Sequence, residues 1–262
     1  MEDLRITIIQ SSLHWEDIDA NLKSFDSKIS SIPLGSTDLI VLPEMFNTGF
    51  TMNATTYYEE MNGKTFNWMS DKSKEKNCVI TGSLIIKENG NYYNRLIWMQ
   101  PDGSYHTYDK RHLFRMSDEH SNYTKGTQRL IVELKGWKIC PLICYDLRFP
   151  VWCRNRNDYD LLIFVANWPQ KRVYAWKQLL IARAIENISY VVGVNRIGDD
   201  GNGFYHSGDS SVLDYLGANL LSEANSSSDN EFIETITLSY SKLESFRSSF
   251  PASKDADDFI IK

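Results

Sequence analysis

The chain has 262 residues, 42% of them of apolar type, 24% charged and 13% aromatic, with a formal net charge of −6. That length supports one large core or at most two small domains. Lysines and arginines are scattered, so the basic footprint of a nucleic-acid binder is missing, and no run approaches the roughly 18 apolar residues of a membrane span.

The opening MEDLRITIIQ places acids where a secretory leader needs positive charge, so residues 4–10 read as a strand and the protein is expected to be cytoplasmic. Residues 19–32 carry Leu22, Phe25, Ile29 and Ile32 at helical spacing, with Asp17 or Asp19 as the cap. Residues 38–42 form a short apolar run that leads into Pro43 and Glu44, and residues 65–76 predict a helix. Strands are predicted over 78–86 and 92–99, joined by a hairpin at Asn89-Gly90. A turn at Pro101-Asp102-Gly103 then leads to a strand over 104–108 that delivers Lys110.

Residues 137–143 predict a buried strand that ends at Cys144, and 160–165 a second one that ends near Asn167. Residues 172–188 form the best helix, with Val173, Trp176, Leu180, Ala184 and Ile188 in one stripe that Leu179 widens. Strands over 190–195, 208–215 and 231–237 follow, and the tail after about residue 241 has no clear pattern. Helices alternating with short apolar strands indicate the α/β class.

Four polar groups with chemical potential, Glu44, Lys110, Cys144 and Asn167, each follow a short strand. Sites in open α/β sheets gather at the carboxyl ends of strands. The four cysteines, Cys78, Cys140, Cys144 and Cys153, are expected to be reduced thiols. Cys140 and Cys144 lie four apart with no His or Cys cluster nearby, which argues against zinc. Cys144, in PLICYDLRFP, leaves its strand in unusually polar company for a packing residue. Glu44 could serve as a general base and Lys110 as an oxyanion holder. Each residue alone also has a bland reading, as core thiol, loop acid or surface lysine. A thiol paired with one of five histidines is the competing scheme, and His112, two residues after Lys110, reads as a supporting group.

Taken together, LPEMF, DKRHLF and ICYDLRFP resemble, in order and spacing, the motifs of the nitrilase (carbon–nitrogen hydrolase) superfamily. FRMSDEH, RFPVW, ANWP and GVNRIGDDG make the chain most similar to its bacterial omega-amidases. The resemblance covers nearly the whole chain as a single domain, residues 1–262. It implies a four-layer α-β-β-α sandwich and homodimers that pair through an outer helical face and the segment after about residue 241. It also implies a Glu-Lys-Cys triad at Glu44, Lys110 and Cys144, with no metal and no organic cofactor. Glu119 is the nearest match to the second glutamate of the family, and the Tyr145 N–H to its second oxyanion donor. The implied reaction is hydrolysis of the terminal amide of 2-oxoglutaramate or 2-oxosuccinamate. Other small amides, nitriles and carbamoyl compounds are alternatives within the superfamily, and a non-catalytic binding subunit is a remote one. A substrate carboxylate needs a cation and donors, for which Arg148, Arg115, Tyr145 and Trp168 are candidates. Arg148 could instead pair with Asp146, and Trp168 could simply pack in the core. Arg183 and Glu186, three apart in the long helix, read as structural.

Overall fold

The computed structural model describes residues 1–225 and 230–260. A six-stranded sheet is built from β1 (Leu4–Gln10), β2 (Leu39–Val41), β3 (Val79–Glu88), β4 (Asn91–Met99), β5 (Tyr105–Asp109) and a late strand, Phe232–Leu238. A five-stranded sheet contains β6 (Val132–Leu134), β7 (Trp137–Ile143), β8 (Leu161–Ala166), β9 (Tyr190–Asn195) and the strand Ser211–Leu213. A separate ribbon pairs β10 (Ile197–Asp199) with β11 (Tyr205–Ser207), so Ser211–Leu213 is β12 and Phe232–Leu238 is β13. The sheet orders are β13-β1-β2-β3-β4-β5 and β12-β9-β8-β7-β6. The long helices are α1 (Ile18–Ser30), α2 (Lys64–Lys76), α3 (Val173–Asn187) and α4 (Tyr240–Ser249).

Strand alternation explains the layering. Successive side chains point to opposite faces, so one strand can feed two cores. In β1, Leu4, Ile6 and Ile8 enter the core shared with the second sheet, while Ile9 faces the other way. Around β2, Leu39 and Val41 alternate with Ile40 and Leu42, and in β4, Leu96 and Trp98 alternate with Ile97 and Met99. The outward set packs on Leu22, Phe25 and Ile29 of α1 and on Phe66 and Met69 of α2. Strands β7, β8 and β9 are parallel and buried on both faces, as continuous apolar runs require. Their far face is covered by α3 through Trp176, Leu180 and Ala184. Gly193 permits that approach, because a Cβ there would lie 2.6 Å from Leu180 and 2.8 Å from Trp176. The result is the expected four-layer α-β-β-α sandwich.

Local signals settle the details. The Asp17 side chain caps α1 by accepting from the Ala20 N–H at 2.9 Å. Asn89 (φ 49°) and Gly90 (φ 79°) form the two-residue turn between Glu88 and Asn91. The strand predicted over 208–215 shrinks to Ser211–Leu213, because Gly208 and Asp209 both take positive φ and turn the chain. The tail contains α4, held to its own chain by buried Leu243, by Phe246 stacked on Tyr215 at 4.8 Å, and by Arg247 donating to Asp160 at 2.5 Å. Residues 261–262 of that tail lie outside the described residues. Among the described residues no helix is long and apolar enough to cross a membrane.

Candidate active site

The strands of both sheets end at one place. Glu44 follows β2, Lys110 follows β5, Cys144 follows β7 and Asn167 follows β8. Glu44 is fully buried, and its Oε1 accepts from Lys110 Nζ at 2.8 Å and from Asn94 Nδ2 at 2.8 Å. Its Oε2 accepts from the Asn167 backbone N–H at 2.9 Å, while the Asn167 side-chain amide donates to the Glu44 carbonyl at 2.5 Å. These bonds fix the Glu44 carboxylate in one orientation.

Lys110 also donates to Glu119 Oε1 at 2.9 Å, and its ammonium lies 4.8 Å from the centre of the Phe50 ring. Glu119 Oε2 accepts from the Phe114 N–H at 2.5 Å, and its Oε1 from Asn94 Nδ2 at 3.3 Å. Two buried carboxylates thus share one buried ammonium. Burial works against the charge on Lys110, but Glu119 and Glu44 outweigh it and hold its pKa above the ordinary range. Burial raises Glu119 above the usual carboxylate range, assisted by Glu44 and opposed by Lys110.

Cys144 opens the 3-10 turn Cys144–Arg148 with φ 43°, a left-handed conformation that a non-glycine residue adopts only under constraint. It is 8% exposed and lines a cavity of about 430 Å³ together with Lys110, Tyr145, Asn167 and Trp168. Tyr145 is the second residue of this turn, where a backbone N–H has no acceptor within its own helix. The other three cysteines are in the core and do not line the cavity. Burial raises the Cys144 thiol well above its ordinary pKa. The Glu44 carboxylate adds to this rise, while Lys110 and the Asn167 N–H oppose it. The charge of Lys110 therefore favours the thiolate without outweighing burial, and the thiol form of Cys144 is favoured. Cys144 is accordingly expected to be the one cysteine that iodoacetamide modifies in the native protein, with a rate still rising past about pH 9. Peptide mapping of the alkylated protein across pH checks this, and a plateau below neutral pH would contradict it.

The remaining sequence candidates divide. Arg148 and Trp168 line the cavity with Tyr145, and the Arg148 guanidinium lies 5.0 Å from the Trp168 ring centre. Trp168 is also a packing residue, tilted against Trp176 at 5.4 Å. Arg115 is exposed and lies outside the cavity lining, although Met116 and Ser117 of the same 3-10 turn belong to it. Asp146 does not pair with Arg148. It accepts from the Tyr108 hydroxyl at 2.7 Å and from the His112 N–H at 3.0 Å, and bonds His112 Nδ1 at 2.7 Å. His112 stacks on Phe149 at 3.7 Å and does not line the cavity, which places it behind the turn that carries Cys144. Arg183 pairs with Glu186 at 2.9 Å and donates to the Leu147 carbonyl at 2.7 Å, supporting the same turn.

Two site residues escaped the sequence reading. Arg172 lines the cavity with its guanidinium 5.0 Å from the Phe114 ring centre. Burial pushes its pKa down; Cys144 opposes that and the neighbouring Arg148 reinforces it. Asn94, in the middle of β4, bridges Glu44 and Glu119. Among the described residues no cluster of three or more His, Cys, Asp or Glu is arranged to hold a metal ion.

Comparison with known proteins places this architecture. A full-length relative, omega-amidase YafV of Escherichia coli (strain K12), is 46% identical over 261 residues, covering 100% of both chains. The 2-oxoglutaramate amidase of Bacillus subtilis (strain 168) is 34% identical over 185 residues, 69% of this chain and 71% of that one. The crystal structure of XC1258 from Xanthomonas campestris, a CN-hydrolase superfamily protein with an arsenic adduct in its active site, superposes with a TM-score of 0.96. It is 44% identical and covers 100% of both chains. The carbon-nitrogen hydrolase family model matches residues 5–243. With the fold, the full-length relatives and that match in agreement, the chain belongs to the carbon-nitrogen hydrolase family.

Proposed function

We propose that this amidohydrolase releases ammonia from the terminal amide of a short α-keto acid amide, such as 2-oxoglutaramate or 2-oxosuccinamate, through a thioester on Cys144. The single observation that carries the substrate class is the pair of guanidinium groups, Arg148 and Arg172, in the wall of the Cys144 cavity. Each lies against an aromatic ring, and among the described residues neither forms an ion pair with a carboxylate. Two such cations in a half-buried wall are costly without an anion. A substrate carboxylate supplies it, and a cavity of about 430 Å³ suits a small molecule. Relatives described as an omega-amidase and a 2-oxoglutaramate amidase support the same substrate class.

The chemistry follows from the hydrogen bonds. Glu44 takes the thiol proton as Cys144 Sγ attacks the amide carbon. Lys110 and the Tyr145 N–H stabilise the resulting oxyanion. Glu44 returns the proton to the departing nitrogen, the C–N bond breaks and ammonia leaves. Glu44 then deprotonates a water that attacks the thioester, the C–S bond breaks, and the thiol regains its proton. Amide and water are consumed; acid and ammonia are produced.

Ammonia release across a panel of keto-acid amides, neutral amides, nitriles and carbamoyl compounds tests the assignment. The keto-acid amides are expected to lead. Arg172→Met is expected to raise KM for them roughly 10- to 100-fold, as the loss of a charged hydrogen bond predicts, with little effect on a neutral amide. Equal effects on both would remove the carboxylate-binding role. Preference for nitriles or carbamoyl compounds would replace the substrate class.

A further inference from the structure

We infer that Asn94 is a positioning residue for the base: its one side-chain amide, donating to two buried carboxylates, holds Glu44 and Glu119 in place and favours their charged forms. The inference rests on the reading of Glu44 as the proton acceptor. Asn94 is fully buried near the middle of β4, opposite Ile85 of β3. Its backbone carbonyl accepts from the Lys110 N–H at 3.0 Å, so the same residue anchors the chain that carries the ammonium. Its Nδ2 donates to Glu44 Oε1 at 2.8 Å and to Glu119 Oε1 at 3.3 Å.

The charge balance explains why an amide is needed there. Glu44, Glu119 and Lys110 are each at most 1% exposed, so two negative groups face one positive group in a dry place. The other titratable groups nearby are the Cys144 thiol and Tyr123, whose hydroxyl donates to the Thr51 carbonyl at 2.6 Å. Neither adds positive charge. Two carboxylates that share a site favour protonation of one of them. A neutral donor that bonds both opposes this without adding a charge that would need its own partner.

The other half of the side chain points the same way. Asn94 Oδ1 is buried with no protein partner. An unpaired buried carbonyl is a cost that an apolar residue of equal size would avoid. Flipping the amide would turn that oxygen onto two carboxylates. The orientation is therefore set by the donors, and the residue is explained by what its N–H groups hold.

The test compares wild type, Asn94→Leu and Asn94→Ser. The fastest-cleaved amide of the panel is followed against pH, with rates expressed per alkylatable Cys144 so that misfolded protein does not count. Without both donors, a proton enters the carboxylate pair at higher pH. The acid limb of kcat/KM is expected to rise by roughly one pH unit in Asn94→Leu, with kcat down by up to roughly 10-fold on that limb and KM nearly unchanged. Asn94→Ser, which can donate to only one carboxylate, is expected to fall between and serves if the leucine variant does not fold. An unmoved acid limb, or a loss confined to KM, would overturn the inference. Retained turnover in Cys144→Ala would instead overturn the proposed chemistry, so the two failures are distinguishable.

Discussion

Replacing Cys144 with alanine is expected to reduce ammonia release by about 10⁴-fold or more while leaving the protein folded. Among the described residues the cavity offers no second nucleophile in the same position. Cys78, Cys140 and Cys153 are in the core, and the only serine in the lining, Ser117, sits on a different turn and donates to the Phe114 carbonyl at 3.1 Å. Lys110 is locked between two carboxylates and holds its proton above the ordinary range, so it cannot substitute as an amine nucleophile. Folding should be spared because the thiol faces the cavity and alanine needs no more space. The left-handed backbone at this position is imposed by the surrounding turn and costs alanine about what it costs cysteine. Ammonia assays and a thermal melt decide the matter. Native turnover by the alanine variant would end the thiol mechanism, and a collapsed melt would show that the residue is structural.

Lys110→Met is expected to harm both rate and stability. Loss of an oxyanion donor typically costs about 10²–10³ in kcat. Here the same change leaves Glu44 and Glu119 buried, close and without their shared cation. Removing one partner of a buried ion pair costs on the order of 3–5 kcal/mol, so a large fall in melting temperature is expected near neutral pH. The sign of the pH effect follows. Two buried carboxylates without their shared cation are expected to bind a proton more readily in the folded variant than in the unfolded chain. Their contribution is therefore favourable at acid pH and is lost as pH rises through the raised values. The deficit against wild type should shrink as the buffer is taken from about pH 8 toward pH 5. Melts of the two proteins across that range measure it, and a deficit independent of pH would mean that the three groups are not electrostatically linked.

The fold and the candidate site were legible to different depths. Parallel strands buried on both faces announce themselves, and β7, β8 and β9 lie where the apolar runs of 137–143, 160–165 and 190–195 put them. The Asn89-Gly90 turn needs no tertiary context. Glu44, Lys110 and Cys144 stood out as candidates because each follows a strand and sits in one of three motifs that resemble a known family in order and spacing. Asn94 was not, because in YYNRLIWM it reads as one more polar position. Only the pairing of β4 with β3 and β5 brings it between two acids distant in sequence. Arg172 lies just before α3, where sequence shows only a polar lead-in, and its meaning comes from Phe114 and Arg148 across the cavity. Arg115 is the opposite case: it stands near Lys110 in the chain, but its side chain is exposed and outside the cavity lining. The short ribbon β10–β11 was missed because three-residue strands leave no period to read. The helix Tyr240–Ser249 was missed because only Leu243 in it is buried.

The proposed reaction centre does not belong to either half of the sandwich. Glu44 and Lys110 come from the first sheet, Cys144 and Asn167 from the second, and the two bonds between Asn167 and Glu44 cross the seam. Each half could hold its own ladder intact and still have no reaction centre. If the proposed centre is right, activity depends on how the two sheets dock, and a slippage that leaves both ladders intact is expected to abolish it.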